Sequence, residues 1–395
     1  TTFVLGDKRF NGAYSGYFTT LGNINNEVKR ITLLQMNDMH GYIMQDENHK
    51  GGLSNAAYII NEIRDENDYD DVLLVANGDM FQGTAVSNYT YGESVIEAMN
   101  AMKFDCMGIG NHEFDWGIDK IFRLFDNNTD NGEANFPLIN SNIVYKSNNE
   151  LVLEKDHNVF DTVVLEKNGL KIGVISCIGD LSSSIIYSNV KDFIFKDVSE
   201  CAIPLAKSLK DDGVDIVIVN IHGGETSGVN DYIENNDLSR EKYNGKPLID
   251  AVINGHTHTN QTGLIERDGT DMSVTQAGSN CYYIGETEIF YDTEAKMVMF
   301  TNTETYNINS FAKDNYDLEV QNVIDEQYNN IKDYLTEEYC VATKNVNSKS
   351  ELYTWAATVM RTSVDADVAI SNTGGIRGTG DIKNGEKITL DNVYM

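Results

Sequence analysis

The chain has 395 residues, of which 41% are hydrophobic, and its 61 acidic against 30 basic side chains give a formal net charge of −31. This length accommodates two or three domains of about 150 residues each. A charge of that sign repels nucleic-acid backbones and anionic membranes, and no apolar run approaches the ~20 residues that span a bilayer. A small anionic substrate stays compatible with the charge, because bound cations can invert the potential locally.

The first half of the chain alternates predicted strands with predicted helices. Residues 1–29 are rich in Gly, Thr, Tyr and Asn and have weak periodicity, which indicates an extension outside the first core. Apolar residues at helical spacing predict helices at 53–66, 93–102 and 199–209. This alternation is typical of βα units and therefore of an α/β fold with a parallel sheet. The short apolar runs that predict buried strands are 31–36, 72–76, 106–109, 216–221 and 251–253.

The second half of the chain has a more β-like pattern. Alternating apolar and polar residues predict strands at 287–291, 297–300 and 388–395. A long helix is predicted at 318–339, which could pack on the first domain or connect it to a second. The pattern that follows predicts a helix at 352–362, a strand at 368–370 and a glycine-rich turn at 374–378.

The five cysteines form no CxxC pair. Their surroundings predict small buried side chains rather than a disulfide framework or a zinc knuckle. Cysteine usage therefore does not distinguish an oxidising from a reducing compartment. They are Cys106, Cys177, Cys201, Cys281 and Cys340.

Chemistry-bearing side chains stand directly after five of the predicted strands. Each cluster alone is typical of an ordinary turn or of a half-buried histidine. Together they predict a metal site for two cations, because ligands in open α/β sheets gather beyond the carboxyl ends of the strands. Mixed carboxylate, amide and imidazole donors suit Mn, Zn, Fe or Co better than Mg or Ca. The candidate ligands are Asp38, His40, Asp79, Asn111, His222, His256 and His258.

Two further residues of the same region predict acid catalysis. Two metals about 3.5–4 Å apart can clamp a phosphoryl group and activate a water molecule. His112, beside Asn111, is interpreted as an acid that protonates the leaving group rather than as a ligand. Asp115, three residues later, could hold the imidazole of His112 in the productive tautomer.

The motifs themselves resemble those of a known family. The strings NDMHG, NGD, GNHEFD, HGG and GHTH, which begin at positions 37, 77, 110, 222 and 255, resemble the calcineurin-like metallophosphoesterases. The later string NTGGIR at 372–377 narrows the resemblance to the 5′-nucleotidase family, which includes UDP-sugar hydrolases and cyclic-nucleotide phosphodiesterases. The resemblance covers residues 30–395. It implies a four-layer αββα metallophosphoesterase sandwich, a connecting helix and the beginning of an α+β substrate-binding domain.

The resemblance also implies domain limits and residue roles. The domains would be an extension at 1–29, the catalytic domain at 30–312, the connecting helix at 313–339 and the start of the second domain at 340–395. Asp79 would bridge the two metals, and His112 with Asp115 would form the catalytic dyad. Asp38, His40 and His258 would hold one metal, and Asn111, His222 and His256 the other. Asn372, Gly374, Gly375 and Arg377 would contact the substrate, with Arg377 directed toward its phosphate.

The substrate implied is a nucleoside 5′-monophosphate or a related small nucleotide, and the family is usually exported to the periplasm, cell wall or exterior. A 2′,3′-cyclic nucleotide or a UDP-sugar is the nearest alternative, followed by a thiosulfohydrolase-like reaction. A surface or structural protein that keeps the fold without turnover is the alternative from a different class. The oligomeric state cannot be read from the sequence.

Some positions depart from the family pattern. Thr373 replaces the first of three glycines, Asn55 stands where an Arg often follows a Gly-Gly pair, and 352–355 lack the usual Leu-Gly-Asn-Leu. The family's second domain extends further than residue 395 and later supplies two aromatic rings that sandwich the base. We therefore expect the natural product to be longer, and we expect these 395 residues alone to discriminate poorly between AMP and a sugar phosphate.

Overall fold

A computed structural model describes residues 2–5, 8–11, 28–45, 52–67, 71–129, 132–154, 156–371 and 381–394. Two large sheets dominate this part of the chain. In the seven-stranded sheet, the strands from Val28–Met36 to Val159–Phe160 run parallel, and the two remaining strands pair antiparallel at one edge. Its order is Met297–Asn307, Tyr283–Asp292, Val28–Met36, Val72–Asn77, Cys106–Gly108, Leu138–Ile139 and Val159–Phe160.

The six-stranded sheet has four parallel strands at its centre and one antiparallel strand at each edge. Its order is Asn260–Ile265, Met272–Ala277, Ala251–Asn254, Ile216–His222, Leu170–Ile178 and Thr162–Lys167. The smaller strand pairs are Thr2–Leu5 with Lys8–Asn11, Ile143–Tyr145 with Phe193–Phe195, Lys242–Tyr243 with Lys246–Pro247, and Glu338–Val341 with Lys387–Thr389.

The helices surround these sheets. Short 3₁₀ turns occupy His112–Phe114, Arg123–Phe125 and Ser182–Ser184. The α-helices are Leu53–Glu66, Ala85–Thr90, Glu93–Met102, Ile118–Phe122, Tyr187–Val190, Val198–Asp211, Ile233–Ser239, Ile308–Ala312, Leu318–Leu335, Lys349–Ser363 and Leu390–Tyr394. No helix in the described part of the chain has both the length and the apolar character that crossing a membrane requires.

Three separate hydrophobic cores show that the layers are stacked as helix, sheet, sheet and helix. Leu34 belongs to the core between the seven-stranded sheet and its helices, whereas its neighbour Leu33 belongs to the core between the two sheets. In the six-stranded sheet, Ile218 faces the inter-sheet core and Val219 faces the second helical layer. Successive strand residues point to opposite faces, so both faces of these strands are buried. The predicted αββα sandwich is confirmed.

The long helix packs on the helix-side core of the sandwich, as one of the two predicted alternatives has it. Asp317 caps the helix by accepting from the Val320 N–H at 2.9 Å. Val320 and Ile324 lie in the helix-side core, and the Ser54 hydroxyl donates to Gln321 at 2.7 Å. The predicted end at 339 is wrong, because the helix ends at Leu335 and the next residues form a strand that pairs with a segment about fifty residues later.

Two other predicted strands of the C-terminal region are wrong. Residues 368–370 form no strand, and Val368 and Ile370 are 70% and 92% exposed. The run predicted as a strand at 388–395 is instead the short strand Lys387–Thr389 followed by the helix Leu390–Tyr394. Leu390 packs against the helix-side core, and this tertiary contact favours a turn over continued extension.

The cysteine prediction is correct only in part. Cys106, Cys177 and Cys281 are buried and unpaired, as expected for small apolar side chains. Cys201 is half-buried and Cys340 is exposed, so the prediction is wrong for these two. Cys340 lies on the strand Glu338–Val341, whose four residues are all exposed.

Candidate metal centre

The loops that follow five strands meet at one edge of the sandwich. Three of them extend the seven-stranded sheet and carry Asp38, Asp79 and Asn111. The other side chains come from the six-stranded sheet, where His222 is the last residue of its strand and His256 and His258 follow Ala251–Asn254. Because the carboxyl ends of both sets of parallel strands point to this edge, residues up to 220 positions apart become neighbours.

The structure brings the seven predicted ligands together in two groups. One consists of Asp38, His40 and His258, whose ligand atoms lie within 4.8 Å of one another. The other contains Asp79, His222 and His256, again within 4.8 Å. The amide oxygen of Asn111 lies 2.9 Å from His256 Nδ1 and 3.2 Å from His222 Nε2. A third group joins His40 and Asp79 to His112, so Asp79 lies between the two sites.

Hydrogen bonds on the far side of two rings decide which nitrogens face the centre. His40 Nδ1 lies 2.9 Å from the Gln82 carbonyl, and His222 Nδ1 lies 2.8 Å from the Asn77 carbonyl. A carbonyl only accepts, so each Nδ1 carries a proton, and each ring in its neutral form presents the lone pair of Nε2 to the centre. Metal-binding histidines in proteins have this arrangement.

The atoms that face each other in the centre are then mostly acceptors. His40 Nε2 lies 3.0 Å from His258 Nε2, and His222 Nε2 lies 3.1 Å from an Asp79 oxygen. The Asn111 oxygen adds a further acceptor to the second group. When the rings are neutral, these converging lone pairs repel one another unless a cation lies between them, so this donor set fits divalent metal ions.

The buried carboxylates at this edge favour positive charge beside them. Burial raises the pKa of Asp38 to about 7, with His222 opposing the shift and Asp79 adding to it. Burial also acts to raise the pKa of Asp79, but His222, His112 and His40 together hold it well below its usual range. Burial lowers the pKa of His222, yet Asp79 and Asp38 raise it to about 10. A proton on His222 or a metal ion supplies the charge that the buried carboxylates need.

Five of the seven candidate ligands have left-handed backbone conformations. Their φ angles are 49° for Asp38, 53° for His40 and Asp79, 70° for His256 and 58° for His258. Such values are uncommon outside glycine and persist only where the surroundings impose them. Here the loops hold one another: the Asp38 N–H donates to the Gly78 carbonyl at 3.0 Å and the His40 N–H to the Asp79 carbonyl at 2.9 Å.

The predicted dyad is assembled by a 3₁₀ turn. Residues three apart eclipse each other in this geometry. His112 Nδ1 therefore lies 2.7 Å from an Asp115 oxygen, and both side chains are about one-fifth exposed. The backbone N–H of His112 donates to Asp79 at 2.8 Å, so the turn that holds the dyad also contacts the carboxylate between the two groups.

Glu113 is a site residue that sequence reasoning missed. Its side chain is fully buried and accepts three backbone N–H bonds, from Asp79 at 2.8 Å, Gly110 at 2.7 Å and Met80 at 2.9 Å. Burial raises its pKa to about 7, and the Asp79 charge adds to that shift. Its sequence signal was weak, because Glu113 is one of four polar residues in the run 111–115.

Asn37 was also missed. Its amide donates to Asp38 at 2.6 Å and to the Gly278 carbonyl at 2.8 Å, while its oxygen accepts from the Ala277 N–H. Asn37 thus holds the candidate ligand Asp38, which follows a strand of the seven-stranded sheet, against the strand Met272–Ala277 of the six-stranded sheet. Asn55, the position that departs from the family pattern, instead donates to the Asn315 carbonyl and serves the docking of the long helix. The predicted substrate residues Asn372, Gly374, Gly375 and Arg377 lie outside the described residues.

Comparisons with known proteins agree with this geometry. Residues 31–260 match the family model for calcineurin-like phosphoesterases, and residues 330–395 match the model for the 5′-nucleotidase C-terminal domain. The snake venom 5′-nucleotidase of Crotalus adamanteus is 26% identical over 298 residues, which cover 68% of this chain and 46% of that protein. The chain spans about half the length, or less, of the curated relatives that it matches.

Two further relatives are informative. The 2′,3′-cyclic-nucleotide 2′-phosphodiesterase/3′-nucleotidase of Haemophilus influenzae is 26% identical over 247 residues, covering 58% of this chain and 36% of that protein. The crystal structure of a 5′-nucleotidase precursor from Thermus thermophilus aligns with a TM-score of 0.71 and 20% identity, covering 92% of this chain and 73% of that one. At this identity the structural likeness shows the fold.

Proposed function

This chain belongs to the calcineurin-like phosphoesterase family, and we propose that it is a two-metal phosphohydrolase that releases phosphate from nucleoside 5′-monophosphates or related small nucleotides. The observation that carries the proposal is the convergence of acceptor atoms from seven side chains beside a histidine–aspartate pair. The match to a 5′-nucleotidase C-terminal domain supports a nucleotide as the substrate.

Each group of ligands would hold one cation. Asp38, His40 and His258 would hold the first, Asn111, His222 and His256 the second, and Asp79 would contact both. Bound divalent ions would supply Lewis-acid stabilisation of the phosphoryl oxygens and an activated water. The mixed imidazole and carboxylate donors support Mn, Zn, Co or Fe over Mg or Ca.

His112 would protonate the oxygen of the leaving nucleoside. Its Nδ1 proton is directed to Asp115 at 2.7 Å, which leaves Nε2 to carry the proton that is transferred. The Asp115 carboxylate fixes the tautomer and the orientation of the ring. We also propose, from the sequence motif, that Asn372 and Arg377 contact the substrate beside Gly374 and Gly375, with the Arg377 guanidinium on the phosphate.

A second candidate substrate is a 2′,3′-cyclic nucleotide, which the Haemophilus influenzae relative supports. A UDP-sugar and a thiosulfohydrolase-like substrate have no such support beyond the shared fold. A non-catalytic role does not explain a complete donor set with a dyad at hydrogen-bond distance. The venom relative also supports export of the chain from the cytoplasm.

A reconstitution experiment tests the function. The protein is stripped with a chelator, reloaded with Mn, Co or Zn, and assayed on AMP, 3′-AMP, 2′,3′-cyclic AMP and UDP-glucose. We expect two ions per chain by elemental analysis, no hydrolysis after stripping, and AMP as the preferred substrate. His222→Ala should lose metal and activity, whereas the control His157→Ala, at a histidine outside the ligand groups, should retain both. Activity that is indifferent to the chelator would refute the proposal.

A further inference from the structure

One segment reaches from the second ligand group to the dyad. Residues 179–196, here called the bridging segment, connect the strand Leu170–Ile178 of the six-stranded sheet to the helix Val198–Asp211. At its start, the Gly179 N–H donates to the carbonyl of His222 at 3.0 Å. Ten residues later the segment contacts the turn that carries His112, which extends the seven-stranded sheet.

Asn189 makes that second contact. Its amide nitrogen donates to the Phe114 carbonyl at 2.8 Å and to the Asp115 carbonyl at 3.1 Å. An asparagine amide has two N–H groups, so it can satisfy both carbonyls at once. The Phe114 ring also packs against Phe193 and Phe195 of the same segment, with ring centroids 5.9 and 5.6 Å apart.

These two carbonyls belong to the backbone that carries the dyad residue Asp115, so Asn189 contacts the dyad through that backbone. The Phe114 and Asp115 carbonyls lie at the end of the 3₁₀ turn, where backbone acceptors have few partners within the helix itself. The Phe114 carbonyl also accepts from the Gly117 N–H at 2.9 Å. Asp115 is about one-fifth exposed, so packing alone does not fix its carboxylate. Its carboxylate oxygen lies 2.7 Å from His112 Nδ1, and the Asn189 amide holds the backbone that carries this carboxylate.

We propose that Asn189 is a positioning residue that orients the dyad, through the backbone of Asp115, for proton transfer to the leaving group. This inference rests on the proposed role of His112 as general acid. Misplacement of a catalytic group by about 1 Å can reduce a rate on the order of a hundredfold, so loss of this clamp should be visible in kcat.

The test compares two esters in one variant. For Asn189→Ala we expect kcat to fall about 10- to 100-fold on AMP, whose alkyl leaving group needs a proton. On 4-nitrophenyl phosphate, whose leaving group needs none, we expect a change of no more than about twofold. Turnover of the aryl ester also shows, in the same protein, that the fold and the metals are intact.

Asn236 offers a matched control. Like Asn189 it is half-buried, and it lies within the helix Ile233–Ser239. Its amide donates to two backbone carbonyls just before that helix, Asn230 at 2.7 Å and Tyr232 at 3.0 Å. Asn236→Ala therefore removes the same type of clamp from a segment that does not hold the dyad. Its melting temperature should fall by as much as that of Asn189→Ala, while its ratio of AMP to aryl-ester turnover should stay native.

The combination with His112→Asn identifies the route of the effect. If Asn189 acts through the dyad, Asn189→Ala should cause no further loss on AMP once His112 is replaced. Three outcomes would overturn the inference, provided that His112→Asn alone still discriminates between the esters. They are an equal loss of Asn189→Ala on both esters, a native AMP rate in Asn189→Ala, and an additive loss in the double variant. If His112→Asn itself fails to discriminate between them, the acid role fails, and the inference fails with it.

Discussion

Glu113 provides the sharpest test of how the metal centre is held. Its two oxygens accept three backbone N–H groups, two of which belong to the loop that carries Asp79 and one to Gly110. In Glu113→Gln the side chain keeps its shape, and the amide oxygen can still accept the Asp79 and Gly110 bonds. The new NH₂ group, however, faces the N–H of Met80, so that two buried donors meet and neither has an acceptor.

The size of the effect follows from those contacts. A buried donor that loses its acceptor destabilises by about 1–3 kcal/mol, and bonds to a charged acceptor are stronger than bonds to a neutral one. The total is about 2–3 kcal/mol. If this energy is lost from the binding of metal because Asp79 is displaced, metal affinity falls about 30- to 150-fold. Replacing residues that orient metal ligands commonly weakens affinity by about 10- to 100-fold.

The assay is a metal titration against a competing chelator, together with thermal unfolding of the chelated protein. We expect weaker binding of at least one ion and a modest fall in melting temperature. The control Glu166→Gln, at an exposed position of an edge strand, should alter neither quantity. Native metal affinity in Glu113→Gln would refute the reasoning, because the three bonds would then contribute nothing to the position of Asp79.

Three further outcomes are expected. His112→Asn should keep both metals while kcat falls about 10²–10⁴-fold on alkyl phosphates and less on esters with good leaving groups; an equal loss on both would contradict the acid role. Asp79→Ala should be the most damaging single replacement in metal analysis, because two cations would repel each other without the shared carboxylate; two retained ions would contradict the bridge. Burial, with Glu93 and Glu326, raises the pKa of Glu97 above 4.5, so the native state binds this proton more tightly than the unfolded state and stability falls as pH rises above that value. Glu97 is half-exposed, so this loss of unfolding free energy between pH 4 and pH 8 should be no more than about 1 kcal/mol and should depend on salt. Unfolding assays at the two pH values should show that Glu97→Gln removes it, and an unchanged pH dependence would contradict this expectation.

The sequence predicted those features that depend on neighbours along the chain. The helices Leu53–Glu66 and Glu93–Met102 have the predicted bounds, because an apolar face with a period near 3.6 residues is local information. The candidate ligands could be found for a similar reason, since each follows a buried strand within a few residues. Only the convergence of those loops needed the general rule about carboxyl ends of parallel strands.

Features that depend on distant contacts could not be predicted in this way. Glu113 binds N–H groups 33 and 34 residues away, and Asn189 binds carbonyls 74 and 75 residues away. Residues 368–370 looked like a strand because Val368 and Ile370 are apolar. The β propensity of such residues, however, reflects their packing against neighbouring strands rather than an intrinsic backbone preference. The end of the long helix was misplaced because the strand that follows it finds its partner in Lys387–Thr389.

Close approach between loops explains the glycines of the motifs and gives a last prediction. At Gly78, which has φ 73°, an added Cβ would lie 2.5 Å from the Gly110 nitrogen and 2.7 Å from His222 Nδ1. Gly213 has nearly the same backbone conformation, with φ 80°, but an added Cβ there would meet nothing within 4 Å. The two positions therefore separate backbone strain from collision with the metal centre.

Alanine in this conformation should lower the free energy of unfolding by about 1–2 kcal/mol at either glycine. Gly213→Ala should show only that loss and keep native metal affinity. Gly78→Ala must also displace the turn at Gly110 or the ring of His222, so its metal affinity should fall at least about tenfold further. Chelator-competition titrations and thermal unfolding of both variants decide the matter. If the two variants have equal metal affinity, the close approach of Gly78 to Gly110 does not position the ligands. Gly78 would then be needed only for the positive φ of its turn.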